Sequence, residues 1–406
     1  MPAPPASVSP SALAAALRQT GTVLLDGPRP DADSGRRGAR LFADPVRTLT
    51  ARTLAEVGPL LGALDAALAD GLHVAGMLAY EAGYALEPTR FADVPIDPTV
   101  PLGWFGVYRA PLDVPTEVVE AALADAGPAR IEAPTFTLSE AAYRTRVAAV
   151  RAHIRAGDVY QINLTAPFRF ATQADPLALF AALRRRQQVA YGAFLRLPDL
   201  AVASVSPELF FRVDAEGEGR TITARPMKGT APRGATPDAD DALADALRAS
   251  PKDRAENLMI VDLLRNDLSR VTAPGSVRVP ALFDAERYET VTQMTSTVTG
   301  DLRADAGLGD VLRALFPCGS ITGAPKLRAM GIIRDLEIGP RGAYCGAIGH
   351  AAPGGTAAFS VAIRTAVVAN GVGRYDVGSG IVWDSDADAE FAECLLKARV
   401  LTDLAG

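Results

Sequence analysis

Val159-Tyr160-Gln161-Ile162-Asn163-Leu164-Thr165-Ala166-Pro167-Phe168-Arg169-Phe170 alternates along its whole length. Tyr160, Ile162, Leu164, Ala166, Phe168 and Phe170 share one face, while Gln161, Asn163 and Thr165 share the other, the period of a strand. Three polar groups in a row on one side of a strand either face water or line a site. Just upstream, Thr137-Leu138-Ser139-Glu140 has capping-box form and opens a helix that stops at Gly157. Further strands are predicted at Tyr191–Leu197, Ala201–Val205, Leu209–Val213, Thr221–Ala224, Ala357–Val368 and Arg374–Val377. Toward the N-terminus, Thr22–Leu25, Val74–Tyr84 and Leu102–Tyr108 read as strands, and Gly27–Arg40 as an exposed loop. Leu54, Val57, Leu60, Leu61, Leu64 and Leu68 form a helical stripe over Thr53–Ala69. Strands in hairpin order with helices interspersed predict an antiparallel α+β fold rather than a parallel doubly wound sheet. The Gly/Pro-marked stretch from Ala126 to Pro134 is the expected seam between an N-terminal lobe, 1–133, and a second region, 134–406.

The chain has 406 residues, 49% hydrophobic and 22% charged, enough to bury a large core. A net charge of −6 gives no reason to expect nucleic acid or an acidic membrane as partner. Cys318, Cys345 and Cys394 are far apart, with no CxxC, which excludes a thiolate metal site or a disulfide framework. Met1 to Gln19 lacks a basic n-region, and no apolar run reaches membrane-spanning length, so a cytoplasmic protein is expected.

Several blocks carry residues capable of chemistry. Thr223-Ala224-Arg225-Pro226-Met227-Lys228-Gly229-Thr230-Ala231-Pro232-Arg233-Gly234 follows a predicted strand and reads as a loop presenting Lys228. Ser206-Pro207-Glu208-Leu209-Phe210 places a carboxyl at the start of an aromatic strand. Ser250 as cap and Pro251 at the first position start a helix to Asp267. Its middle, Leu258 to Leu264, is apolar almost all round, which predicts burial and partners for Glu256 and Asp262; for Asp262 or Asp267 an arginine is the ordinary partner. Pro317-Cys318-Gly319-Ser320-Ile321-Thr322-Gly323-Ala324-Pro325-Lys326 offers small residues and backbone N–H groups before a helix, suited to an anion. Ala362-Ile363-Arg364-Thr365 puts an arginine on a predicted strand, and Gly378-Ser379-Gly380 allows close backbone approach. Ser385 caps a helix with Glu390, Glu393 and Lys397 on one face. Taken singly, these are surface lysines, strand-end charges and a solvated helix face. Taken together, they supply cations, an anion-binding backbone, an acid and a nucleophile for a small anionic substrate.

In order and over some 240 residues, these blocks and Gly157-Asp158-Val159-Tyr160-Gln161-Ile162-Asn163-Leu164 resemble the chorismate-utilising enzymes. That family includes anthranilate, isochorismate and aminodeoxychorismate synthase large subunits. The resemblance implies two large, mostly antiparallel β-sheets packed face to face with helices outside. It implies that Glu208 is the general acid/base, and that Glu256 and Glu393 are Mg²⁺ ligands. Thr322, Gly323, Ala324, Arg364, Gly378, Ser379, Gly380 and Lys397 would bind substrate. Met227-Lys228-Gly229-Thr230 looks like the aminodeoxychorismate-forming branch, with Lys228 as nucleophile. The implied reaction converts chorismate and ammonia, released from glutamine by a separate amidotransferase subunit, into 4-amino-4-deoxychorismate for 4-aminobenzoate and folate synthesis. The alternatives are an anthranilate-forming enzyme and a chorismate-binding regulatory module without turnover. The sequence departs from the family at Val291-Thr292-Gln293-Met294, where Gln293 replaces a usual His, and at His350, where a Tyr is usual. The tryptophan-binding Leu-Leu-Glu-Ser element survives only as Leu24-Leu25-Asp26-Gly27, so regulation by tryptophan is not expected.

Overall fold

The computed structural model describes residues 8–29, 38–217, 219–288 and 291–405. Among them, twenty strands form two antiparallel ten-stranded sheets. In the first, the order is Gly323–Ala324, Gln161–Ala171, Val372–Ile381, Thr365–Ala369, Ala201–Ser206, Tyr191–Arg196, Thr22–Gly27, Gly38–Phe42 and Leu112–Val114, with Glu132–Phe136 also on Gln161–Ala171. In the second, it is Met227–Pro232, Val291–Asp301, Gly219–Ala224, Leu209–Glu216, Ala357–Val361, Ala347–Ala351, His73–Leu78, Gly103–Tyr108 and Arg47–Ala51, with Arg278–Arg287 on Val291–Asp301. Strands from 1–133 and from 134–406 therefore share both sheets.

Period-2 alternation sorts each strand between two layers. Val23, Phe42, Leu195 and Val202 of the first sheet meet Met77, Trp104, Tyr108 and Ile348 of the second in one apolar cluster. Their strand neighbours, such as Leu24, Val74, Phe105 and Val107, turn to the larger cluster shared with Leu60, Leu61 and Leu64 of the helix Leu54–Ala69 and Leu177, Leu179 and Phe180 of the helix Pro176–Arg186. This is the α+β architecture expected from the sequence.

Two helix starts have the serine caps the sequence offers, whereas Ala387–Thr402 is capped by Asp386 and not by Ser385. Ser139 accepts the Ala142 N–H ahead of Glu140–Arg155, and Ser250 accepts the Asp253 N–H ahead of Pro251–Ser269. Four further expectations need correction. The predicted strand Ala357–Val368 is two strands, Ala357–Val361 and Thr365–Ala369, lying in different sheets. Val74–Tyr84 is a strand only to Leu78, and Ala82–Ala85 is a helical turn. Of the expected loop Gly27–Arg40, residues 30–37 lie outside the described residues, and Gly38–Phe42 is a strand. Gln161, Asn163 and Thr165 on the polar face of Gln161–Ala171 are as buried as its apolar face, and exposure on that side begins only at Arg169, whereas Tyr160 precedes the strand and is 70% exposed.

The chain passes between the sheets at two places that matter for the site. One is Ser206 to Leu209, linking Ala201–Ser206 of the first sheet to Leu209–Glu216 of the second. The other is Val361 to Thr365, which returns from the second to the first. The two passages hold each other. Ser206 Oγ donates to Val361 O at 2.6 Å, Val361 N to Glu208 O at 3.1 Å, and Val205 N to Arg364 O at 3.0 Å.

Candidate active site

Glu208 lies in the first passage, 5% exposed, and accepts a hydrogen bond from Ser320 Oγ at 2.6 Å. Burial pushes its carboxyl from the ordinary 4.5 up to about 7, against the Ser320 hydrogen bond and the charges of Lys228 and Lys397, which favour ionisation. A carboxyl that changes protonation near neutral pH is suited to general acid/base work.

Lys228 comes from the second sheet, and not from a loop. It lies on the edge strand Met227–Pro232, whose register against Val291–Asp301 jumps from Met227–Thr295 to Thr230–Gln293. Lys228 and Gly229 thus stand opposite Met294 alone, a bulge of the kind that re-aims a side chain. Gly229 takes φ +90°, open to glycine, and a side chain there would press on Asp253 at 3.0 Å. Burial pushes the Lys228 amine below its ordinary value, and Lys397 adds to this, while Glu256, Glu208 and Glu393 oppose it.

The two sheets meet at Gly380. A methyl group on Gly380 would sit 2.8 Å from Gln161 Nε2 and 3.3 Å from Lys228 Nζ. Gln161 is fully buried, and neither its amide oxygen nor its nitrogen has a hydrogen-bond partner among the described residues. At Gly378 the chain packs closely against its neighbour strand, since a Cβ would lie 2.6 Å from Leu164 O. Lys397 Nζ, on the helix Ala387–Thr402, donates to Gly378 O at 2.8 Å and pairs with Glu393 Oε1 at 2.5 Å. Glu256 is half-buried on Pro251–Ser269. Burial raises its carboxyl pKa, Lys228 and Lys252 lower it, and Asp253 and Glu390 raise it further.

Other residues singled out from the sequence have different surroundings. Ser379 Oγ, on the opposite strand face from its glycine neighbours, bonds Tyr143 Oη at 2.8 Å. Thr322 Oγ1 donates within its own turn, to Cys318 O at 3.0 Å and Gly319 O at 3.2 Å. Gly323 and Ala324 pair with Ile162 and Gln161 as a short strand, and Gly323 has a φ of +152°. Arg364 is not on a strand. It sits in the second passage at φ +52°, its guanidinium bonded to Lys397 O at 2.6 Å. The helix Pro251–Ser269 is not buried all round either: Asp262 is exposed and takes the ordinary pairing with Arg265, while Asp267 is buried and binds Lys326 at 2.6 Å. Gln293 lies beside the Lys228 bulge, opposite Thr230. His350 is elsewhere, against Arg40 and the Phe42 ring.

Sequence reasoning names Gln161 only as one of three polar residues that could line a site, and gives no role of its own to Ser320 or to Glu390, which is buried and bonded by Ser385 Oγ at 2.8 Å. The alternation around Gln161 was the available signal. The Ser320–Glu208 hydrogen bond spans 112 positions and leaves none.

Only four lysines occur, at 228, 252, 326 and 397, so NMR of lysine-labelled protein can follow each one. The Lys228 resonance, assigned by its loss in Lys228→Arg, is expected to titrate below the ordinary lysine value of about 10.4. A midpoint at or above that value contradicts the burial described here.

The sequence profile described as chorismate binding enzyme matches residues 23–403. Aminodeoxychorismate synthase of Streptomyces pristinaespiralis is 47% identical over 257 residues, 63% of this chain and 35% of that protein. Aminodeoxychorismate synthase component 1 of Klebsiella aerogenes is 41% identical over 317 residues, 76% of this chain and 65% of that one. The chain thus spans between about a third and two thirds of the length of these curated relatives. The crystal structure of anthranilate synthase component I from Streptococcus pneumoniae superposes with a TM-score of 0.75 at 25% identity, over 90% of this chain and 92% of that one. With two antiparallel sheets shared and the profile running almost end to end, the chain belongs to the chorismate binding enzyme family.

Proposed function

We propose that the protein converts chorismate and ammonia into 4-amino-4-deoxychorismate and water. The observation that carries this reading is the juxtaposition of a buried acid, Glu208, in the passage between the sheets, with the amine of Lys228 on the second sheet's edge strand, which in turn lies beside Gly380 of the first sheet. The neutral Lys228 amine attacks C2 of the ring, both ring double bonds shift toward C4, and the C4 hydroxyl departs as water with the proton of Glu208. Ammonia then adds at C4, both double bonds shift back, and Lys228 leaves with its amine restored. Arg364, Lys397 and the backbone around Thr322–Ala324 and Gly378–Gly380 bind the two carboxylates. The names of the curated relatives support amination at C4. The name of the structural neighbour favours a second reading, anthranilate formation, which would release pyruvate.

Mg²⁺ is the proposed cofactor, held by Glu256 and Glu393. The donors fit, because Glu256 makes no hydrogen bond or ion pair among the described residues, and two carboxylates with substrate oxygens and water suffice for this ion. Among the described residues no larger cluster of His, Cys, Asp and Glu competes for it. When bound, the ion would supply positive charge to the ring carboxylate. Ammonia is proposed to come from a separate glutamine amidotransferase. Cys318, Cys345 and Cys394 are all buried, and burial pushes their thiols up, Cys318 to about 12, which disfavours a nucleophilic thiolate.

Purified chain with chorismate, ammonium and Mg²⁺ is expected to form aminodeoxychorismate without pyruvate, and to use no glutamine when alone. Lys228→Arg keeps the charge but offers no usable neutral amine, so the addition route is lost; near-native product formation by this variant leaves Lys228 an electrostatic residue. Glu208 carries its proton below its pKa and loses it above, so kcat/KM should fall as pH rises through about 7. Glu256→Gln and Glu393→Gln should each raise the Mg²⁺ requirement, and an unchanged requirement in both ends that assignment.

A further inference from the structure

Arg341 has no part in the roles above, yet it is 2% exposed and bonded to three segments around the site. Its Nη1 donates to Ile321 O at 2.8 Å, and its Nη2 to Asn163 O at 2.7 Å. The Nε and Nη2 groups also clasp Glu337 at 3.0 and 2.7 Å. Glu337 Oε1 in turn accepts Thr165 N at 2.9 Å and Thr165 Oγ1 at 3.0 Å. The guanidinium lies 4.4 Å over the Tyr80 ring, and both oxygens of Glu81 hold the backbone from below, at Arg341 N (2.6 Å) and Gly342 N (3.0 Å).

Two of these hydrogen bonds bear directly on the site. Ile321 follows Ser320, whose hydroxyl holds Glu208, and Asn163 pairs across the sheet with Gly380, two positions from Gln161. A buried ion pair is seldom the stablest filling for its space, since apolar residues of similar volume often do as well. What a guanidinium adds is a rigid fork that fixes two acceptors in relation to each other. We propose that Arg341 is a positioning residue for the acid: by fixing the Ile321 and Asn163 carbonyls it sets Ser320 against Glu208 and holds the strand face beside Gly380.

The inference rests on the chorismate reading for its kinetic test, but its structural test does not. Two backgrounds are compared, Arg341→Lys, which keeps charge without the fork, and Arg341→Met with Glu337→Met, which removes both charges together. Thermal unfolding establishes that each folds. In a folded background kcat should drop on the order of 100-fold, as a misplaced reacting group does, with KM for chorismate changed far less. Ser320→Ala should then cost a much smaller factor than in the native chain, because its partner is already displaced. A crystal structure of either background should show the 2.6 Å hydrogen bond from Ser320 to Glu208 broken. Fold-changes that multiply, or a Ser320–Glu208 hydrogen bond that persists, overturn the proposal. So does failure of both backgrounds to fold, which would make Arg341 a folding residue. A native chain inactive on chorismate refutes the functional reading alone, and the Ser320–Glu208 distance still decides the positioning role.

Discussion

Glu208 is held where the chain leaves one sheet for the other, and the rest of the site depends on that restraint. The two passages between sheets are bonded to each other through Ser206, Glu208, Val361 and Arg364, so neither can shift without the other. A carboxyl fixed there cannot turn out to water. It can only be stabilised by the groups that reach it, and those are a hydroxyl from Ser320 and the fields of two lysines. Desolvation wins over these, which is why a glutamate retains its proton up to about pH 7.

Placing the acid in the passage between the sheets and the amine on an edge strand has a second consequence. Each is carried by backbone that packing already fixes, so their mutual approach costs no further ordering when substrate binds. Gly380, beside Lys228, leaves the space a side chain would take. The amide of Gln161 beside it has no hydrogen-bond partner among the described residues, and its nitrogen faces the space that Gly380 leaves.

Much of this is legible in the sequence, for identifiable reasons. The alternation around Ile162 and the caps Ser139 and Ser250 are local signals, and the strands and helices they predict are present. The Lys228 segment reads as a loop because Pro226, Gly229, Pro232 and Gly234 dominate its composition. An edge strand with a bulge tolerates those residues. The break within Ala357–Val368 has no signature, since both halves are buried and apolar and only the sheet they join differs. Lys228, Glu208, Glu256, Glu393 and Lys397 stand out through the order of several blocks, not through any one spacing. Ser320 and Arg341 act through hydrogen bonds between distant parts of the chain, which a reading along the sequence does not see.

The central claim is that Lys228 forms a bond to the substrate. Its most direct test is mass spectrometry of enzyme quenched during reaction with chorismate and Mg²⁺ in the absence of ammonia. The account predicts an adduct on the Lys228 peptide with the mass of chorismate less one water, which disappears when ammonium is added. No adduct at Lys228, under conditions where ammonium still supports turnover, would contradict it.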